Sequence, residues 1–220
     1  MPTDVIHERE AKRTLIRLLP RVQEKFKREI KNDPHGWREL STRLEEHFPH
    51  LLKLHLELYG DHYDYFFHAE DLLISIARAW FARPNDLREL DQKRESDPRW
   101  LQSNKMLGGV CYVDLFADDL EGLRSKIPYF KELGLTYLHI MPFYDSPEKE
   151  NDGGYAVSNY RKVSASLGTM DQLTSLARDL RQAGISLAVD LVFNHTSDEH
   201  EWAKKARAGD EEYQDYYRIF

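Results

Sequence analysis

The chain has 220 residues, of which 41% are hydrophobic, 12% are aromatic and 31% are charged. These proportions are typical of a protein with a sizeable core, and the length allows one large domain or two small ones. The formal net charge of -7 gives no electrostatic reason to expect nucleic acid or an anionic membrane as partner, and no apolar run approaches the roughly 18 residues of a membrane span.

The start of the chain and its cysteine content bear on location. Residues 1–10 lack the apolar stretch of a signal peptide. Cys111 is the only cysteine, so no internal disulfide forms, which fits a reducing compartment. We therefore expect a cytoplasmic location. We interpret Cys111 as a small buried hydrophobe rather than a reactive thiol.

Residues 1–98 predict an all-helical domain. Apolar residues recur at helical spacing in a first helix: Leu15, Leu18, Leu19, Val22, Phe26 and Ile30. Pro20 predicts a kink or a boundary within it, and residues 32–36 predict a turn. A second helix covers residues 37–48, and Pro49 restarts the pattern through Tyr59.

The pattern continues after a break at Gly60-Asp61. The next helix is predicted to bury one stripe: Phe66, Leu73, Ile76, Ala77 and Trp80. It ends at Arg83-Pro84, a short charged helix covers residues 87–93, and residues 96–98 close the helical domain.

Residues 99–220 predict a different architecture. Strands are expected at 107–113, 136–140 and 185–193, and helices at 120–133 and from the N-cap Thr169 to Gln182, with Gly134 and Gly184 ending them. Nearly continuous apolar strands that alternate with helices indicate two successive βαβ units and a parallel sheet. The predicted class is α/β.

Two groups of candidate functional residues follow predicted strands. The connection after the second strand spans about 25 residues, far longer than α/β connections usually are, and contains Asp152-Gly-Gly-Tyr155. The third strand contains Asp190 and delivers Asn194 and His195 at its carboxyl end, where parallel sheets meet ligands. An aromatic ring covers the apolar face of a sugar, and a carboxylate accepts hydrogen bonds from its hydroxyl groups. Taken singly, each group also fits a purely structural role.

Other motifs are weaker. His200-Glu201 is similar to the start of the zinc motif H-E-x-x-H, but Lys204 stands where the second histidine is needed. Asn194-His-Thr196 is formally a glycosylation sequon, with nothing else to suggest secretion. Trp100 and Trp202 could cover a sugar, although a tryptophan on a helical pattern is more often packed. A nucleotide-binding α/β domain is disfavoured, since no glycine-rich G-x-G-x-x-G turn follows a strand.

Taken together, these segments resemble the α-amylase superfamily, glycoside hydrolase family 13. Asp190-Leu-Val-Phe-Asn-His195 is similar to its D-x-x-x-N-H motif at the third barrel strand, and Asp152-Gly-Gly-Tyr155 matches the D-x-x-Y that follows strand two. A narrower resemblance, to the amylosucrases, rests on the preceding helical domain and on residues 109–117, 153–158 and 194–202.

The resemblance implies a role for each residue. Tyr155 would stack on the glucosyl ring, and His195 would hydrogen-bond its 6-hydroxyl group. Asp152 would help to close the floor of that pocket, Asp190 would organise the site, and Asn194 would brace the loop. The substrates implied are sucrose and an α-glucan acceptor, with neither a metal nor another cofactor required.

The resemblance also implies where the two catalytic carboxyl groups lie. Retaining glycosidases need a nucleophile and an acid/base carboxyl group, which in this family follow strands four and five. We therefore expect residues 99–220 to form the first three units of an incomplete (β/α)8 barrel, with both catalytic groups beyond Phe220. The isolated chain is expected to be inactive and its partial barrel unstable.

Two alternatives stay open from the sequence. One is a sucrose hydrolase or another family 13 glycosidase, which transfers the glucosyl unit to water. The other belongs to a different class, a non-catalytic sugar-binding module that has the glucose-holding residues without the catalytic ones.

Overall fold

A computed structural model describes residues 2–218, and residues 2–8 are described by their backbone alone. The residues outside this description are Met1, Ile219 and Phe220. The prediction that the catalytic segments follow Phe220 therefore concerns a residue outside the described ones. The chain divides between Asp97 and Pro98 into two compact units, the helical unit and the sheet unit. Among the described residues, no helix combines the length and hydropathy needed to cross a bilayer.

The helical unit contains five helices: α1 (Pro2–Lys25), α2 (Lys27–Asn32), α3 (Pro34–Tyr59), α4 (Tyr65–Ala82) and α5 (Asn85–Glu95). The predicted all-helical architecture is confirmed, as is the break after Tyr59. Its core is a single cluster of buried apolar side chains that includes Val22, Phe48 and Leu73.

Neither internal proline ends a helix, contrary to the predicted boundary between residues 48 and 49. Pro20 lies inside α1 and Pro49 inside α3. A proline removes one backbone hydrogen bond, but the buried face of α3 continues across Pro49 from Phe48 to Leu52. The apolar burial on both sides therefore keeps the helix continuous.

The predicted turn at residues 32–36 is shorter in the structure, where only Asp33 lies between the end of α2 and the start of α3. Its carboxylate accepts a hydrogen bond from the Gly36 backbone nitrogen at 2.8 Å and thereby caps α3, with Pro34 in the first turn. The Arg88 guanidinium lies 2.6 Å from the other carboxylate oxygen. The hydrogen bonds from Arg88 and Gly36 lower the pKa of Asp33.

The buried face of α4 differs from the predicted stripe. Its buried residues are Tyr65, Ala69, Leu73, Ile74 and Ala77. Phe66 is 64% exposed, and Ile76 and Trp80 are only partly buried at the edge of the core. Tyr65 replaces Phe66 on the inner face because it stands four residues before Ala69 and eight before Leu73, the spacing of one helix face.

The sheet unit is built on three parallel strands: β1 (Gly108–Cys111), β2 (Tyr137–Ile140) and β5 (Ser186–Val189). They lie in the order β1-β2-β5, with Val110 opposite His139 and His139 opposite Ala188. The predicted class, a helical part followed by the first parallel strands of an α/β fold, is confirmed. The central strand β2 is the one most enclosed by its neighbours.

The helices between the strands follow the prediction only in part. The single helix predicted for residues 120–133 is divided into α7 (Leu120–Ser125) and α8 (Ile127–Glu132), because Pro128 starts a new first turn. A short α6 (Val113–Ala117) precedes them. Thr169 caps α9 (Met170–Gln182) as predicted, and Gly134 and Gly184 adopt positive φ after α8 and α9.

The long connection after β2 has its own structure. It contains a two-stranded antiparallel sheet, β3 (Tyr144–Asp145) and β4 (Asn159–Val163), and a short 3-10 helix at Asp152–Gly154. The described chain ends with α10 (Glu201–Arg207) and α11 (Glu211–Gln214). The connection after β2 is therefore an ordered segment that follows the carboxyl end of that strand.

Candidate functional site

The candidate site begins at the carboxyl end of β5. Asp190 follows the last strand residue, Val189, and residues 190–193 are not part of the strand, so the predicted strand to Phe193 is too long. Because β2 and β5 are parallel and in register, His139 of β2 lies at the same edge of the sheet. Both side chains are about one-quarter to one-third exposed, Asp190 at 27% and His139 at 29%.

A left-handed turn in the long connection places Tyr155. Asp152, Gly153 and Gly154 all have positive φ, of 51°, 65° and 92°. Glycine is needed at 154, since a Cβ there would lie 3.0 Å from the Cβ of Pro142. Asn151 caps the turn by accepting a hydrogen bond from Gly153 and donating one to Pro147. The turn is thus fixed against the end of the sheet immediately before Tyr155.

The carboxylate of Asp190 joins two strands and the turn. Its Oδ2 accepts a hydrogen bond from the Tyr155 hydroxyl group at 3.3 Å, and its Oδ1 lies 3.2 Å from His139 Nε2. We call these three side chains the Asp190 cluster. Burial and the negative charge of Asp190 raise the pKa of the Tyr155 phenol. The phenol is therefore neutral and a hydrogen-bond donor at physiological pH.

The segment after Asp190 is held by the antiparallel sheet. The Tyr160 hydroxyl oxygen on β4 lies 2.6 Å from the Val192 carbonyl oxygen and 3.2 Å from that of His195. The Ser197 backbone nitrogen donates to the Val157 carbonyl at 3.0 Å. The two predicted groups, 35 residues apart at Tyr155 and Asp190, therefore form one continuous surface.

The structure brings together some of the predicted residues and not others. Tyr155 and Asp190 are in direct contact. Asp152 is exposed and close enough for its charge to help raise the pKa of Tyr155. The side chains of Asn194 and His195 are exposed, and no hydrogen bond joins either to another described residue. Their predicted roles stay predictions.

His139 is a site residue that the sequence reasoning missed. It lies in an apolar strand, Tyr137–Ile140, where its ring would ordinarily be interpreted as a packed side chain. Its partner Asp190 comes from the next parallel strand. A polar residue one position before the end of an apolar parallel strand was the signal that could have identified it.

Two of the residues set aside earlier, His200 and Trp202, make structural contacts. The ring of His200 is buried, and its Nδ1 accepts a hydrogen bond from the Trp202 backbone nitrogen, which caps α10. Trp202 is half-exposed and stacks on Tyr216 with ring centroids 4.9 Å apart.

Burial raises the pKa of the Cys111 thiol. Within the described residues, no three His, Cys, Asp or Glu side chains are grouped as metal ligands would be.

The Asp190 cluster combines the chemical features of a sugar site. An aromatic ring is held at its hydroxyl end and leaves ring surface partly exposed, beside carboxylates at 152 and 190 that can accept hydrogen bonds. All lie at the carboxyl edge of a parallel sheet, where α/β folds bind ligands.

Comparison with known proteins assigns a family to the part of the chain that contains the Asp190 cluster. Residues 84–219 match the family model described as "Alpha amylase, catalytic domain". Among similar proteins, the oligo-1,6-glucosidase of Bacillus cereus is 42% identical over 100 residues, which are 45% of this chain and 18% of that enzyme. The trehalose synthase/amylase TreS of Mycolicibacterium smegmatis is 44% identical over 111 residues, or 49% of this chain and 18% of TreS.

Among solved structures, the trehalulose synthase MutB of Pseudomonas mesoacidophila is 39% identical to this chain, with a TM-score of 0.47. The match covers 52% of this chain and 22% of MutB. This chain thus spans about a fifth of the length of the relatives it matches. Neither the Bacillus cereus enzyme nor TreS is an amylosucrase, so the narrower resemblance is not confirmed.

Proposed function

Since this chain belongs to the α-amylase family, we propose that the Asp190 cluster and its neighbours form the glucose-holding part of an α-glucoside-processing site. The main observation that supports this proposal is the hydrogen bond from Tyr155 to Asp190, which joins the two sequence motifs at the edge of the sheet. The activity belongs to the family's class of glycoside hydrolysis and glucosyl transfer.

Each residue has a proposed part in holding the sugar. Tyr155 stacks on the glucosyl ring, because its hydroxyl group is held by Asp190 and the ring cannot turn freely. His195 donates a hydrogen bond to the 6-hydroxyl group from the segment that Tyr160 holds. Asp152 closes the floor of the pocket, and Asn194 braces the loop between Asp190 and His195. Holding the ring in one orientation is what lets a retaining glycosidase align its two catalytic carboxyl groups.

Glucose binding tests the proposal directly. Titration of the protein with glucose, followed by saturation-transfer NMR, is expected to detect binding, and Tyr155→Ala is expected to weaken it at least tenfold through the lost stacking surface. Tyr63→Ala is the matched control, because Tyr63 is fully exposed in the helical unit. Equal glucose affinity in the wild-type protein and the Tyr155→Ala variant would refute the proposed site.

Within this class we propose sucrose as the glucosyl donor and an α-glucan as the acceptor, as in the amylosucrases. The supporting observation is the helical unit, since residues 1–83 precede the matched catalytic-domain model and form a separate compact unit with the following residues to Asp97. A helical domain ahead of the catalytic domain is the feature on which the narrower resemblance rests.

Product analysis separates the candidate activities. A longer protein that contains this chain together with both catalytic carboxyl groups is expected to release fructose from sucrose and to lengthen an added maltooligosaccharide. Release of free glucose and fructose without chain growth would indicate a sucrose hydrolase. Hydrolysis of isomaltose or maltose in preference to sucrose would indicate an α-glucosidase similar to the Bacillus cereus enzyme. Glucose binding without turnover of any of these would favour the sugar-binding module.

A further inference from the structure

We propose that His139 is a positioning residue for the sugar site, acting on Tyr155 through the carboxylate of Asp190. This inference deepens the proposed function and rests on it for its effect on sugar binding. Its structural part, the connection from His139 to the orientation of Tyr155, can be tested without a sugar.

The two oxygens of one carboxylate carry the connection. Oδ1 lies 3.2 Å from His139 Nε2, and Oδ2 accepts from the Tyr155 hydroxyl group at 3.3 Å. A carboxylate is planar, so fixing Oδ1 also fixes the direction in which Oδ2 presents its lone pairs. Without His139, Asp190 can rotate about its Cα–Cβ and Cβ–Cγ bonds and the phenol loses a defined acceptor.

The elements that carry the three side chains explain why His139 is needed to hold Asp190 in place. Asp190 follows the end of β5 and is not held by strand pairing itself, whereas His139 belongs to the central strand β2, which pairs on both sides. Tyr155 follows a turn of three residues with positive φ. His139 is thus the member of the Asp190 cluster on the most rigid element, and a binding residue is precise only when such an element supports it.

The substitutions that test this retain or remove the polar group that faces Asp190 Oδ1. His139→Leu removes it while keeping an apolar side chain in the strand, and His139→Gln keeps an amide N–H that can reach Asp190 Oδ1. We expect His139→Leu to lower glucose affinity about tenfold, the size of effect that the loss of one polar contact to a charged group has, and His139→Gln to restore most of it. A loss of packing alone would not be reversed by glutamine.

A double-mutant cycle separates positioning from general destabilisation. In the Tyr155→Phe background no hydroxyl group remains for Asp190 to hold, so His139→Leu is expected to cost less than twofold there. Equal losses in both backgrounds would overturn the proposal, because His139 would then act independently of Tyr155.

A readout without ligand keeps this inference distinct from the proposed function. In NMR spectra of the protein with 13C-labelled tyrosine, His139→Leu is expected to shift the ring signals of Tyr155, and His139→Gln to restore them. The ring signals of Tyr129, half-exposed on α8, should stay in place. Unchanged Tyr155 signals would overturn the positioning role even if glucose binds. Shifted signals in a protein that does not bind glucose would support the connection and refute the sugar site.

Discussion

At the scale of single residues, the Asp190 cluster sets the chemical state of Tyr155. Burial and Asp190 are the largest of several influences that raise the pKa of its phenol. Burial disfavours the tyrosinate, and the Asp190 carboxylate both repels the negative charge and accepts the hydrogen bond that only the neutral phenol can donate. A ring that stays neutral and hydrogen-bonded over the physiological range presents a constant surface to a sugar.

Neutralising Asp190 should therefore lower the pKa of Tyr155 towards its ordinary value. In Asp190→Asn the amide oxygen can still accept the hydrogen bond, but the repulsion of the tyrosinate is gone. The shift is measurable from the 13Cζ chemical shift of labelled Tyr155 as the pH is raised. Tyr160 is an internal control, because burial and the nearby Tyr217 and Tyr144 raise its pKa without a contribution from Asp190. An unchanged or higher Tyr155 pKa would contradict the geometry.

At the scale of elements, α9 is held at its start by a reciprocal cap. The Thr169 hydroxyl oxygen accepts from the Gln172 backbone nitrogen at 3.2 Å, and the Gln172 side chain accepts from the Thr169 nitrogen at 2.9 Å. Two backbone N–H groups that the helix leaves unpaired are satisfied in this way. Because α9 leads into β5, the cap fixes the beginning of the segment that ends at Asp190.

Removing the cap should destabilise the sheet unit measurably. Thr169→Ala is expected to lower the free energy of unfolding by about 1 kcal/mol in urea denaturation. Thr174→Ala is the matched control. Thr174 lies inside α9 and its hydroxyl group donates only to the Met170 carbonyl within the helix, so the substitution should be neutral or slightly stabilising. Equal losses from both substitutions would show that the cap has no special contribution.

The helices and strands also show which structural features the sequence could predict and why it could not predict the others. Apolar periodicity and caps predicted the helical character of residues 2–97, the helix α9 and the succession of strands along the chain, and the motifs singled out Tyr155 and Asp190, which the structure brings into contact. Three features were missed because they depend on partners far along the chain. Pro49 stays inside α3 because burial continues on both sides of it, β4 forms only by pairing with β3, and His139 acquires a role only beside Asp190.

At the scale of the whole molecule, each compact unit has a hydrophobic core of its own. Leu73 is fully buried in the core of the helical unit, and Leu176 is fully buried in that of the sheet unit. The two clusters share no residue. A core that lies within one unit stabilises that unit directly, so the two units should respond separately when either core is weakened.

Matched cavity substitutions in the two cores test this separation. Leu73→Ala and Leu176→Ala each remove a fully buried leucine side chain, a change that costs about 2–5 kcal/mol in the unit that contains it. Hydrogen exchange followed by mass spectrometry should show faster exchange in peptides before residue 97 for Leu73→Ala, and in peptides after residue 98 for Leu176→Ala. If either substitution accelerates exchange equally in both sets of peptides, the chain unfolds as one cooperative body. In that case a change in the helical unit would also alter the proposed sugar site, whereas separate responses would leave the Asp190 cluster intact in Leu73→Ala.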